Sequence, residues 1–211
     1  MQEIICNLYS FKGVLNKVRS IETSDTEIIE KVIRGDKSAY AALISRYQNY
    51  VFSLTLRIVK NREDAEEVAQ DVFIKAFRSL TDFKGTSKFS TWLYTIAYTT
   101  SLSFLRKRKL NTCSIDNENI FEIVINQNSE QASNLIEQKS RTSMVNKAID
   151  FLNPDDAMVI SLFYKAEQSL DEIGQVMSQE PNTVKVRLHR ARKKLKEVME
   201  TNFAQEVRDL Y

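Results

Sequence analysis

Apolar residues recur at three- and four-residue intervals over most of this chain, the spacing of one face of an α-helix. Between residue 25 and about residue 109 the pattern predicts three strong helices. Leu43, Ile44, Tyr47, Tyr50, Val51, Leu54 and Ile58 form the first stripe. Ala65, Val68, Val72, Phe73, Ala76, Phe77 and Leu80 form the second. The third runs through Trp92, Leu93, Ile96, Ala97 and Phe104. It ends in Arg106, Lys107, Arg108 and Lys109, cations that suit the negative end of a helix dipole. Between the second and third helices, residues 81–90 break the period with Gly85 and small polar residues.

From about residue 111 to residue 140 the pattern changes. Asn, Gln, Ser and Glu dominate, and Ile120, Phe121, Ile123, Val124 and Ile125 lack helical spacing. This predicts a flexible linker, either a plain tether or one carrying a short segment that docks on a partner. Helical period returns from about residue 141. Val145, Ile149 and Leu152 make one stripe, ended by Asn153-Pro154, and Val159, Ile160, Leu162 and Phe163 the next. The fold class expected is all-α: two small helical domains on either side of a linker. The expected divisions are an extension at 1–24, a domain at 25–110, the linker at 111–140, a second domain at 141–200 and a tail at 201–211.

The second domain closes with the clearest local pattern. Ser169-Leu170-Asp171-Glu172 reads as a capping box, with Ser169 capping the helix start and Glu172 reaching back three residues. The short helix it opens presents Leu170, Ile173 and Val176 or Met177 inward. A turn follows at 178–180, and Pro181 suits a first helical position. In the last helix Val184, Leu188, Ala191, Leu195 and Val198 make one apolar stripe. No acid stands between Thr183 and Lys196, while Lys185, Arg187, Arg190, Arg192, Lys193, Lys194 and Lys196 make the rest of the surface cationic. A capped helix, a tight turn and a basic amphipathic helix describe a helix-turn-helix. The second of its helices would enter the major groove, its first outward residues reading base edges and its later cations meeting phosphates. His189 would be a phosphate contact, a base contact or plain surface.

Composition narrows the field. Four Gly and two Pro in 211 residues leave few turns, too few for a β-sandwich or barrel. The net charge of +2 says little by itself, because acids and bases are segregated along the chain. Cys6 and Cys113 are far apart, and one histidine stands in the whole chain, so no metal site is expected. No nucleophile–base pair or phosphate loop is legible, so no catalytic residue, cofactor or small-molecule substrate is expected. The first residues are too polar for a signal peptide and no stretch reaches membrane-span length, so the expected location is the cytoplasm.

The first domain adds two features. Between Arg62 and Phe73 there are five carboxylates and one base, a surface that repels DNA and favours a basic protein partner, or else an ordinary exposed face. Residues 81–90 with Phe89 and Trp92 bring together cations, a Gly hinge and aromatics, a mixture that suits unpaired DNA. The alternative is that Phe89 and Trp92 are core.

Together these residues resemble a known family. Val68-Ala69-Gln70-Asp71-Val72-Phe73 is similar to the polymerase-binding segment of bacterial sigma factors. The stretch from Phe83-Lys84-Gly85 to Phe89-Ser90-Thr91-Trp92-Leu93-Tyr94-Thr95-Ile96-Ala97 resembles their promoter-melting segment. Thr183-Val184-Lys185 through Arg187-Leu188-His189-Arg190-Ala191-Arg192-Lys193-Lys194-Leu195 resembles the helix that reads the minus-thirty-five element. Two such domains with a short linker resemble the extracytoplasmic-function (ECF) group.

The resemblance implies a factor that binds core RNA polymerase and promoter DNA, with an anti-sigma protein as a further partner. It implies polymerase contacts at Asp64, Glu67, Gln70, Asp71 and Phe73. Minus-ten contacts are implied at Lys84, Lys88, Phe89, Tyr98, Thr99, Arg106 and Lys107. Minus-thirty-five contacts are implied at Thr183, Lys185, Val186, Arg187, His189, Arg190 and Lys193. The chain departs from the family where Thr99 replaces a usual Asn, Ser103 a usual Asp and Val186 a small polar residue. It departs again where Ser178 and Gln179 replace a turn Gly and an apolar residue. The competing expectation is a helix-turn-helix repressor or activator that acts without being a polymerase subunit. It leaves the acidic helix and the Trp92 segment unassigned.

Overall fold

The computed structural model describes residues 24–112 and 143–204. Helix α1 (Asp25–Ile33) opens on a capping box in which Ser24 and Glu27 satisfy each other's backbone N–H. A 3-10 turn (Lys37–Ala39) leads into α2 (Tyr40–Val59). That helix stops at Lys60, which adopts a left-handed φ of 63° and donates its N–H to the Leu56 carbonyl. Asn61 then caps α3 (Arg62–Arg78) by accepting from the Asp64 N–H, and Glu63 and Asp64 occupy its first turn. A 3-10 turn (Leu80–Asp82) and a non-helical segment separate it from α4 (Phe89–Thr112). Gly85, at φ 69°, supplies the left-handed position in that segment.

The apolar stripes of α2, α3 and α4 face one another. Leu43, Val51, Leu54, Ile58, Val68, Val72, Ala76, Leu93 and Ala97 are buried between them. The helices expected over these residues are present, with α1 added in front and α4 running on through residues 111–112, past the expected boundary at 110.

The second domain begins in a helix covering 143–150, here α5. Asn153 caps α6 (Pro154–Tyr164), with Pro154 in the first turn followed by Asp155 and Asp156. The Ser169–Glu172 capping box opens α7 (Leu170–Met177) as the sequence predicts. Ser178 ends it at φ 54°, and α8 (Pro181–Asn202) follows. Its buried stripe is Val184, Leu188, Ala191, Leu195 and Met199; Val198, expected in the stripe, is only half-buried. The stripe drifts because 3.6 residues per turn rotate a strict four-three spacing slowly off the core.

The two domains are in direct contact, which the expectation of a tethered pair did not include. α2 lies against α6 and α4 against α7, and the apolar core runs continuously from one domain into the other. The linker expected at 111–140 lies outside the described residues from 113 onward, as do Cys6, Cys113, most of the N-terminal extension and most of the tail. Among the described residues no helix is long and apolar enough to cross a membrane.

Candidate nucleic-acid and polymerase interfaces

The helix-turn-helix is built on one close approach. Gly174 lies inside α7, and a Cβ there would stand 2.6 Å from the Gln179 carbonyl oxygen. The Gln179 N–H donates to the Gly174 carbonyl at 2.9 Å, closing the turn. Only a residue without a side chain lets the turn fold back so tightly against its own helix. This sets the angle at which α8 leaves, and hence the face it presents. A glycine inside an otherwise apolar helical pattern was the signal for it in the sequence.

On that outer face Thr183, Lys185, Val186, His189, Arg190 and Lys193 are all exposed, together with Asn182, which sequence reasoning missed. An open cleft of about 490 Å³ runs between this face and the start of α6, lined by Asn153, Asp156, Thr183, Val186, Arg187 and Arg190 among others. The cations of α8 are not equivalent. Arg187 donates to Asp155 at 2.9 Å and lies 3.9 Å from Asp156. Lys194 donates to Asp156 at 2.8 Å. Arg192 stacks over the Phe163 and Tyr164 rings at 5.2 and 5.4 Å. Lys196 is 3.8 Å from Glu200. Lys185, Arg190 and Lys193 have no acidic partner among the described residues and stand outward, so they are the cations free to meet phosphates or base edges. Arg187, expected among the reading residues, is instead engaged by the acids of α6.

The polymerase residues expected on α3 share one face in part. Glu67, Gln70 and Asp71 are exposed, and Ile74, three residues beyond Asp71, joins them with 47% of its surface exposed. Ile74 was not foreseen: it stands outside the apolar stripe expected on α3 and outside the expected polymerase contacts. Asp64 is tied to Arg108 of α4 at 2.5 Å, and Phe73 is half-buried, its carbonyl accepting from the Tyr40 hydroxyl at 2.9 Å. These two therefore brace α3 against its neighbours rather than stand free with the others.

The expected minus-ten residues divide the same way. Lys84, Thr99, Arg106 and Lys107 are exposed. Thr99 donates its hydroxyl to the Thr95 carbonyl at 2.8 Å, within α4. Phe89 is placed in the core, 4% exposed, with ring contacts to Tyr47, Phe83 and Trp92 at 5.5, 5.8 and 5.6 Å. It supports the loop and cannot stack on a base in this arrangement; Trp92 is half-buried beside it. Tyr98, 9% exposed, lies at the domain boundary, its hydroxyl 3.4 Å from Asp155. Burial and Asp155 both raise its pKa. Lys88 is exposed but reaches across to Glu172 at 2.9 Å. Among the described residues no group of His, Cys, Asp and Glu is arranged to hold a metal ion.

Residues 43–110 match the family described as Sigma-70 region 2, and residues 143–195 the family described as Sigma-70, region 4. The chain is 34% identical over 178 residues to the ECF RNA polymerase sigma-E factor of Escherichia coli K12, covering 82% of this chain and 93% of that protein. It is 30% identical over 190 residues to the RNA polymerase sigma-H factor of Pseudomonas aeruginosa, covering 85% and 95%. Among solved structures it resembles the sigma factor RpoE of Bartonella quintana, in complex with the anti-sigma factor NepR. The TM-score is 0.64 at 22% identity, over 77% of this chain and 97% of that one. It also resembles CnrH in complex with the cytosolic domain of CnrY, with a TM-score of 0.57 at 20% identity, over 84% and 98%.

Proposed function

The chain belongs to the ECF group of RNA polymerase sigma factors, and from that premise we propose how its surfaces divide the work of promoter recognition. A sigma factor binds core RNA polymerase, recognises promoter DNA and promotes initiation. The exposed Glu67, Gln70, Asp71 and Ile74 strip of α3 is the polymerase-docking surface. The outward face of α8, with Thr183, Lys185, Val186, His189, Arg190 and Lys193, reads the minus-thirty-five element. Lys84, Lys88, Thr99, Arg106 and Lys107 serve the minus-ten element, with Tyr98 joining them once uncovered.

The observation that carries the reading is the division of charge between α3 and α8. One helix presents acids with an exposed apolar residue, the other three unpaired cations on an acid-free face. The first favours a basic protein and the second a polyanion. The chain itself performs no catalytic step in this reading, and its place of work is the cytoplasm, where polymerase and promoter meet. An anti-sigma protein is a further partner, supported by the structural relative solved in complex with an anti-sigma factor.

The test is transcription with core polymerase and permanganate footprinting. The free chain is expected to bind duplex promoter weakly and with little preference, because one helix-turn-helix buries little DNA surface. With core polymerase, thymines of the minus-ten region become reactive. A sharp footprint by the free chain, independent of polymerase, would instead favour the repressor or activator alternative.

A further inference from the structure

The outward face of α8 carries one apolar side chain among polar and cationic ones. Val186 is 49% exposed, and no other large apolar residue of that helix stands out as far. Asn182 and Thr183 precede it by four and three residues, and His189 and Arg190 follow it by three and four. That spacing makes all four its neighbours on the helix surface, and all four are exposed. Lys193 lies two turns further along the same line, and Lys185 stands at the edge. Arg187 and Lys194, which share the cleft with Val186, are neutralised by Asp155 and Asp156. The ground around Val186 is therefore short and uncharged on its N-terminal side, at Asn182 and Thr183, and cationic beyond.

Folding gives no reason for a valine at this position. Val184 and Leu188, two residues to either side, are buried in the stripe, so Val186 points away from the core. A β-branched residue is also a poorer helix former than the long polar residues around it. What valine does offer is a stiff side chain, held to one preferred rotamer in a helix, whose methyl groups stay in place without further ordering. Asn182, Thr183 and Val186 lie in the first two turns of α8, the part of such a helix that meets base edges. Their shortness lets the backbone come close to the floor of the major groove. The C5-methyl of thymine is the apolar group displayed on that floor, next to the O4 acceptor, whereas cytosine shows an amino donor and no methyl. Asn182 and Arg190 both bring N–H donors to the cleft beside Val186, which suits O4 and opposes the cytosine amino group.

We propose that Val186 is a specificity-determining residue that selects a thymine in the minus-thirty-five element by packing on its C5-methyl group. This rests on the assignment of the outward face of α8 to that element. The contact removes two small apolar surfaces from water at once, so it contributes a modest factor to affinity and a clear preference at one base pair. It also separates two jobs on the helix: Lys185, Arg190 and Lys193 supply charge, while Val186 supplies an apolar reading that salt does not screen.

The test uses holoenzyme assembled from the full chain and core polymerase. Preferred duplexes are first selected from a pool randomised over both promoter elements. Each thymidine of the minus-thirty-five element, on either strand, is then replaced in turn by deoxyuridine, which pairs identically and lacks the methyl group. At one position uracil is expected to weaken binding about three- to tenfold. Val186→Ser should bind the thymine and uracil duplexes alike, and Val186→Thr, which keeps one methyl, should fall between. At the same position 5-methylcytosine should bind better than cytosine with the parent and no better with Val186→Ser. Both variants change an exposed position, so their thermal midpoints should match the parent's. A parent indifferent to uracil everywhere would overturn the proposal and leave the assignment of α8 standing. Uracil sensitivity that persists in Val186→Ser or Val186→Thr at the parent's level would overturn it too, by moving the methyl contact to another residue. A pool that yields no preferred minus-thirty-five sequence would overturn the assignment of α8, and the proposal with it.

Discussion

Arg190 is exposed on α8 with no acidic partner among the described residues, whereas Arg187, three positions earlier, is held between Asp155 and Asp156. Asp156 is itself buried, and accepts from Asn153 and Lys194 as well. Replacing Arg190 by alanine is expected to weaken promoter binding by the holoenzyme by about 1–3 kcal/mol and to relax preference at one position, with the thermal midpoint unchanged. Arg187→Ala is expected to lower the midpoint, because it removes a cation from beside a buried carboxylate. Thermal unfolding alongside binding to minus-thirty-five DNA separates the two roles. Ser178 offers a second residue-level test. It holds a left-handed φ of 54°, a conformation that glycine adopts without a side-chain clash. A side chain in that conformation costs about 1–2 kcal/mol, so Ser178→Gly is expected to stabilise the chain by about 1 kcal/mol in denaturant unfolding.

At the scale of elements, α3 shows how a surface is told from a brace. Its acids near the N-terminus satisfy the helix dipole whatever else they do, and Asp64 is further used by Arg108. Further along, Asp71 stands one turn from the exposed Ile74. Neither a dipole nor the core accounts for that pair, which is why the docking surface proposed above is placed there. Asp71→Lys, or Ile74→Glu, is expected to weaken binding to core polymerase about tenfold or more through charge repulsion and lost apolar contact. The circular dichroism spectrum should be unchanged, because both side chains point to solvent. Full binding by a folded Asp71→Lys chain would move the docking surface off α3.

At the scale of the whole molecule, the joint between domains concentrates charge. Arg57 is only 4% exposed, and its Nε has no hydrogen-bond partner. Lys60 and Lys165 stand near it, with Asp150 the facing carboxylate and Asn146 shared between Arg57 and Lys165. Burial, reinforced by Arg57 and opposed by Asp150, pushes the Lys165 ammonium down from 10.5 to about 8. The folded chain therefore gives up this proton before the unfolded chain does. Between pH 8 and about 10.5 the unfolded state binds more protons, so the contribution of Lys165 to stability rises with pH through that window and is flat below it. Tyr40, pushed up to about 12 by burial, acts oppositely above pH 10. Urea unfolding between pH 7.5 and 9.5 is the clean measurement. A rising stability that flattens in Lys165→Met is the expected result.

Much of the element structure follows from local rules acting on this sequence. Periodic apolar residues, the Ser169–Glu172 capping box, Asn153-Pro154 and Pro181 specify where helices lie and stop, since each acts within a turn or two of chain. The acid-free face of α8 and the acidic start of α3 are likewise legible, because charge on an amphipathic helix sorts itself by period. Tertiary structure decided which charges are free. Arg187 and Lys194 differ from Arg190 only in what stands opposite, and Asp155 and Asp156 lie about thirty residues away in sequence. Phe89 became core because Tyr47, Phe83 and Trp92 converge on it from different elements, something a period along one helix does not encode. Phe77, expected in the α3 stripe, became surface because the face that packs on α2 and α4 is narrower than the apolar pattern suggested. The packing of one domain on the other depends on pairs such as Arg57–Asp150 and Thr91–Gln168, 93 and 77 residues apart, and distant pairing of that kind is set by the folded shape alone.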